Sequence, residues 1–122
     1  MDFLKKLSKK INDNMDLYSP LIVGNLSDGN SISIRPTGGE YPIRYFKGKE
    51  RNYTFQVSCK HSKGIDAYDQ LESIQAYLEG LKSIGGDSIL LKIETTTTVN
   101  LQEVNDRNEM IFTALFSAML EE

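Results

Sequence analysis

Apolar residues recur in the first fifteen positions at steps of three and four. Phe3, Leu4, Leu7, Ile11, Met15 and Tyr18 fall on one stripe, with lysines mostly off it. This periodicity predicts an amphipathic helix from about Asp2 to Leu17, ended by Pro20. Asp2, Asp13 and Asp16 argue for a helix docked on a core rather than on a membrane. The turn-rich stretch VGNLSDGNS then reads as a loop. A two-residue period follows. Ile32 and Ile34 alternate with polar neighbours as a short strand that Pro36 stops, and Gly38-Gly39 turns the chain. YPIRYF resumes extended structure, KGKE turns again, and RNYTFQVSCK is the clearest strand. Its Tyr53, Phe55, Val57 and Cys59 share one face. Three strands with short turns predict an antiparallel meander.

The period then lengthens again. Asp66 is placed to cap a second helix and Asp69 to sit near its positive end. Tyr68, Leu71, Ile74, Leu78 and Leu81 mark its buried stripe, which predicts a helix to about Ser83 closed by Gly85-Gly86. SILLKIETTTTVNL is rich in β-branched residues and reads as strand, and VNDRN breaks it. The segment from Glu109 to Leu120 fits both periods. A strand puts Met110, Phe112, Ala114, Phe116, Ala118 and Leu120 on one face, and a helix groups Met110, Ile111, Ala114, Leu115 and Ala118. Strand is the preferred reading, because Phe112 and Phe116 then share a face with small residues between them. The expected fold class is α+β: one domain over residues 1–122, with a mostly antiparallel or mixed sheet of four to five strands. An N-terminal helix and a central helix flank it.

A chain of 122 residues suits one such domain with one modest core. No apolar run is long enough to cross a bilayer, no apolar segment follows the N-terminal lysines, and no membrane partner is expected. Cys59 stands alone, which leaves no internal disulfide and makes a reducing cytoplasm the expected place of synthesis. Charge is unevenly spread. From Arg35 to Lys63 seven basic residues face two acidic ones, whereas from Asp66 to Glu122 three basic residues face eleven acidic ones. Such a chain can attract copies of itself head to tail, if the two regions lie on different faces. A mixed solvated surface is the plainer alternative.

Candidate chemistry is sparse. His61 and Cys59 share a strand face, and a thiol–imidazole pair can bind metal or act in catalysis. Further ligands and an orienting group are missing, so a packed cysteine beside a strand-end histidine is the better reading. A small hydrolase or nuclease built on His61 and nearby carboxylates is the enzymatic alternative. PTGGEYP lacks the lysine and hydroxyl of a phosphate loop. The strip Arg44-Tyr45-Phe46-Lys47 could touch nucleic acid. An isoelectric point near 5.2 and the acidic second half disfavour that reading, so no direct sequence-specific nucleic acid contact is expected. Neither an enzyme nor a cofactor nor a metal is expected.

The ordered run from Ile32 to Leu81 resembles the minor capsid or tail-terminator family of long non-contractile-tailed bacteriophages. Ile34, Pro36, Gly38, Arg44, Tyr45, Gly48, Phe55, Val57, Leu71, Ile74 and Leu81 carry the likeness. The Pro-Thr-Gly-Gly spacing departs slightly from the family's Pro-Gly form. The resemblance implies a structural virion protein that assembles as a hexameric ring, caps the finished tail tube and offers the head-joining surface. Its partners would be itself, the tail tube protein and head–tail connector proteins. Its place would be the neck of the virion, after synthesis in the host cytoplasm. A head-to-tail connector of the same phage is the alternative. A ring needs unlike patches that meet. The charge split nominates Arg35, Arg44, Tyr45, Lys47, Lys49 and Arg51 on one copy against Glu72, Glu79 or Glu103 on the next. The hairpin PTGGEYPIRYFKGKE and the loop VGNLSDGNS are the expected carriers of contacts.

Overall fold

A computed structural model of the chain describes residues 2–37, 50–84 and 89–121. Its elements are α1 (Asp2–Asn14), β1 (Leu21–Val23), β2 (Ser31–Pro36), β3 (Glu50–His61), α2 (Gly64–Glu79), β4 (Ile89–Val104) and β5 (Met110–Glu121). They form a five-stranded sheet in the order β1-β2-β3-β5-β4. Only β1 and β2 run parallel; the other neighbours are antiparallel. This is the expected α+β class.

Phe3, Leu4, Leu7 and Ile11 are buried, as the stripe requires. The helix stops at Asn14 rather than Leu17. Tyr18 has to leave the helical path because its hydroxyl donates to the carbonyls of Ser31 and Lys60, at 3.1 and 2.8 Å. The stretch read wholly as loop begins as a strand. Val23 ends β1, whose three residues pair with Ile32, Ser33 and Ile34. A parallel connection normally needs a long crossover. Here β1 is so short that residues 24–30 suffice to carry the chain back. Gly24 and Gly29 supply positive φ angles of 122° and 73° for that return.

β2 and β3 pair from Ser31↔Lys60 to Pro36↔Phe55, which gives the antiparallel half of the expected meander. Its YPIRYF strand lies in residues 38–49, outside the described residues. β5 is a strand, as preferred. Ala114, Phe116, Ala118 and Leu120 are buried, while Met110 and Phe112 are half-buried. Phe116 stacks on Phe55 with ring centroids 5.4 Å apart.

The second helix differs at both ends. Asp66 is not its cap: Lys63 holds that position in extended geometry without a side-chain bond, and Asp66 lies in the first turn. The chain turns earlier because His61 Nδ1 accepts the Lys63 N–H at 2.9 Å. The Lys63 carbonyl then takes the Asp66 N–H at 3.0 Å. The helix ends at Glu79, with Gly80 as C-cap, rather than at Ser83. Gly85 and Gly86 lie outside the described residues. Ala67, Leu71, Ile74 and Leu78 form its buried face. Tyr68 lies at the rim instead, half-buried and edge-on to Phe112 at 5.6 Å. Leu81 is also half-buried. Both helices share one core with the same side of the sheet: α1 over β1 and β2, α2 over β3, β5 and β4.

Candidate functional site

Strand alternation leaves a second face that neither α1 nor α2 covers. The register sets its side chains in rows. Ser33 opposes Ser58, which opposes Thr113, which opposes Asn100. Arg35, Gln56, Leu115 and Thr97 make the next row. Ser31, Lys60, Ile111 and Glu103 make the row on the other side. Most of these residues are polar, and half are both polar and short. Ser33 and Ser58 are nonetheless almost inaccessible, because they sit low between taller neighbours and the returning loop. A groove of about 210 Å³ runs along this face, lined by Gly24, Asn25 and Leu26 of the loop together with Ser33, Arg35, Gln56, Ser58, Gln102, Glu103 and Ile111.

The loop is pinned to this face by a buried cation. Lys60 Nζ donates to the Ser27 carbonyl at 2.7 Å and lies 3.9 Å from Glu109 Oε1. The side chains of Lys60 and Glu109 are 10% and 9% exposed. Glu109 in turn accepts from Asn105 Nδ2 at 2.9 Å, which ties the β4–β5 turn to the same point. That turn also holds Asn108 at a positive φ of 60°. In the sequence Lys60 is one of the seven basic residues from Arg35 to Lys63 and carries no mark of a special role beyond its position, on a strand between Cys59 and His61.

The nominated contact residues are not all brought together. Arg35 and Glu103 meet in the one groove, although they come from opposite halves of the charge split. Glu72 and Glu79 lie on α2, on the other side of the sheet. Glu79 Oε2 already accepts from Thr95 Oγ1 at 2.6 Å. The Glu72 carboxylate accepts from the Tyr68 hydroxyl and raises that phenol's pKa. Arg51 sits in β3 opposite Leu120. Arg44, Tyr45, Lys47 and Lys49 lie outside the described residues. A wider acidic cleft of about 390 Å³, which the sequence did not suggest, opens where the end of α1 meets the start of α2. Asp16, Asp66 and Asp69 line it with Tyr18.

The thiol–imidazole pair has the wrong chemistry for a nucleophile. Cys59 is fully buried, and desolvation pushes its thiol up to about 12, so it stays protonated at neutral pH. Burial likewise raises the Tyr18 phenol beside it. His61 is spent on structure, edge-on to Tyr18, with Nε2 3.2 Å from Asn30 Nδ2 and 3.8 Å from Asp66 Oδ2. Among the described residues no group of three or more His, Cys, Asp or Glu side chains could hold a metal ion.

Known proteins point the same way. The profile of a family described as bacteriophage tail terminator protein matches residues 12–122. Among solved structures, a chain in the virion of a native gene transfer agent particle shares the fold with a TM-score of 0.62. It is 14% identical, and the match covers 81% of this chain and 74% of that one. No curated protein matches. With the family profile satisfied from Ile11's neighbour to the last residue of the sheet and beyond, this chain belongs to the bacteriophage tail terminator family, a family of structural tail proteins.

Proposed function

We propose that the chain caps the tail tube when the tube has reached its length, as a hexameric ring at the neck of the virion. The ring's far side would be the surface on which head–tail connector proteins join. The observation that carries this reading is the family match over residues 12–122. The sheet adds support, since both helices pack on one face and the other carries mostly polar side chains beside the β1–β2 loop. A terminator must match the tube end on one side and refuse more tube protein on the other, which needs two unlike surfaces on each copy. Closing a ring needs heterologous contacts. Residues 1–122 would act in this as one terminator unit.

Within the ring, Arg35 with Arg44, Tyr45, Lys47, Lys49 and Arg51 would face acidic side chains of the next copy. Glu103 is the best placed of the three nominated carboxylates, because Glu72 and Glu79 already accept bonds from their own chain. The role involves no turnover. Particles made without the protein test it. Overlong, uncontrolled tails are expected. Tailless filled heads beside normal free tails would overturn the terminator role in favour of a head-side connector, and normal virions would overturn both.

A further inference from the structure

Among the described residues, five large apolar side chains are exposed: Ile22, Val23, Ile65, Leu101 and Val104. They are not scattered. Ile22 and Val23 belong to β1, the first strand in the sheet order, and Leu101 and Val104 belong to β4, the last. Ile65 joins the second group, because it follows Gly64, which packs on Met110, and Met110 opposes Val104. The two groups also lie level. One row across the sheet runs Ile22, Ser33, Ser58, Thr113 and Asn100, so Ile22 stands at one end of it and the chain neighbour of Leu101 at the other. Residues 38–49 and 85–88 rejoin the sheet at Glu50 and Ile89, both opposite Glu121, at the far end of β5 from this row. The β1 main chain is capped at Leu21, whose N–H donates to Asn12 Oδ1 and whose carbonyl accepts from Asn12 Nδ2, both at 2.9 Å. Its side chains are therefore what β1 offers to a partner.

The helices give the two sides opposite charge. α1 packs over β1 and β2 and carries four lysines against Asp2 and Asp13. Lys9 is engaged by Asp13 at 2.8 Å, while Lys5 and Lys6 are exposed. α2 packs over β3, β5 and β4 and carries four carboxylates and no cation. Asp66 and Asp69 are exposed on it, next to Ile65 in its first turns. One side of the molecule is thus apolar and basic, and the other is apolar and acidic. Apolar side chains bordered by charge suit a protein–protein contact. Another virion protein would need just one of these sides, whereas a second copy of the chain uses both. Like sides repel, which disfavours a two-fold dimer, and unlike sides on opposite flanks close into a ring.

We infer that the α1–β1 side of one copy docks on the α2–β4 side of the next, with Ile22 and Val23 against Leu101 and Val104 and the α1 lysines facing the α2 carboxylates. This rests on the ring reading above and names the surfaces that build it. The test uses full-length chains in assembled tails. One population carries Val23→Cys and the other, tagged, carries Leu101→Cys. Both positions are about half exposed, and Cys59 is buried and does not compete. Oxidation of mixed tails is expected to yield a two-chain species containing one chain of each kind, absent from tails of either variant alone. Links in tails of Val23→Cys alone, or of Leu101→Cys alone, overturn the inference. So does the absence of any link in tails whose collar is intact by electron microscopy; that result leaves the ring itself standing. Tails of the unsubstituted chain with no collar of this protein overturn the ring reading instead. Hydroxyl-radical labelling of the unsubstituted chain is an independent measure. Labelling of Ile22, Val23, Leu101 and Val104 should fall several-fold in tails relative to the dilute monomer, and equal labelling in both would sink the proposal.

Discussion

Replacing Lys60 by methionine isolates the buried charge that pins the β1–β2 loop. The substitution keeps the length of the side chain but removes the ammonium group. At 3.9 Å from Glu109 Oε1, the lost attraction is about 4 kcal/mol with an effective dielectric constant of about 20. The charged hydrogen bond to the Ser27 carbonyl adds about 2 kcal/mol. Against these stands the desolvation of the ammonium group, which the variant no longer bears. What remains is the carboxylate of Glu109, 9% exposed in the parent chain and still accepting from Asn105. Breaking one side of a buried pair leaves that orphan, so the expected net loss is about 3 kcal/mol. At this chain length that lowers the melting temperature by roughly 12 °C. Adding Glu109→Gln should return about 2 kcal/mol of the loss, because it removes the orphan charge and keeps an acceptor for Asn105. Urea unfolding of the four proteins in the cycle measures this, with hydrogen exchange at Asp28–Asn30 reporting on the loop. A loss under about 0.5 kcal/mol for Lys60→Met, the range of an ordinary surface change, would refute the reasoning.

Three further outcomes are expected. Asn12→Ala removes the side chain that serves the Leu21 N–H, while Ser8 Oγ still reaches the Leu21 carbonyl at 3.3 Å; the cost should be about 1 kcal/mol by denaturant titration, and no change would show that water replaces the cap. Phe116→Ala empties the centre of the core against Phe55 and should cost about 3–5 kcal/mol, seen as a large drop in the unfolding midpoint. Stability should fall at alkaline pH. The Cys59 thiol is raised from 9.0 to about 12 in the folded chain, so unfolded chains lose this proton first. The contribution is complete below about pH 9 and disappears as pH rises toward 12. Cys59→Ala should flatten that part of a melting-temperature profile, and an equally steep profile would assign the slope to Tyr18 and the other phenols.

The placement of Arg35 and Glu103 shows how far sequence reasoning reaches for a surface. Each was nominated from charge counts in different halves of the chain. Charge counts hold no information on which strand lies beside which, so they did not reveal that both side chains line one groove of a single copy. Asn12 and Lys60 were missed for the same reason. A polar residue on the polar side of a helix or strand looks solvated until a distant main chain arrives to use it. Asp66 failed as a cap because a local preference worth about 1 kcal/mol lost to the His61–Lys63 contact, which turned the chain earlier.

What the order of residues determined by itself was local and periodic. The α1 stripe, the alternation of β3 and the α+β class follow from spacing, because their apolar repeats fit one local geometry, whereas the segment of β5 fits both periods and its pairing with β3 and β4 made it a strand. The family likeness was legible too, since it rests on that same ordered set. Tertiary structure alone decided the rest. It made β1 a strand, because three residues pair only when β2 lies alongside. It put β5 between β3 and β4, which made β4 the last strand of the sheet among the described residues. Which strands become neighbours depends on contacts between residues far apart in the chain, and no window along the sequence contains both partners.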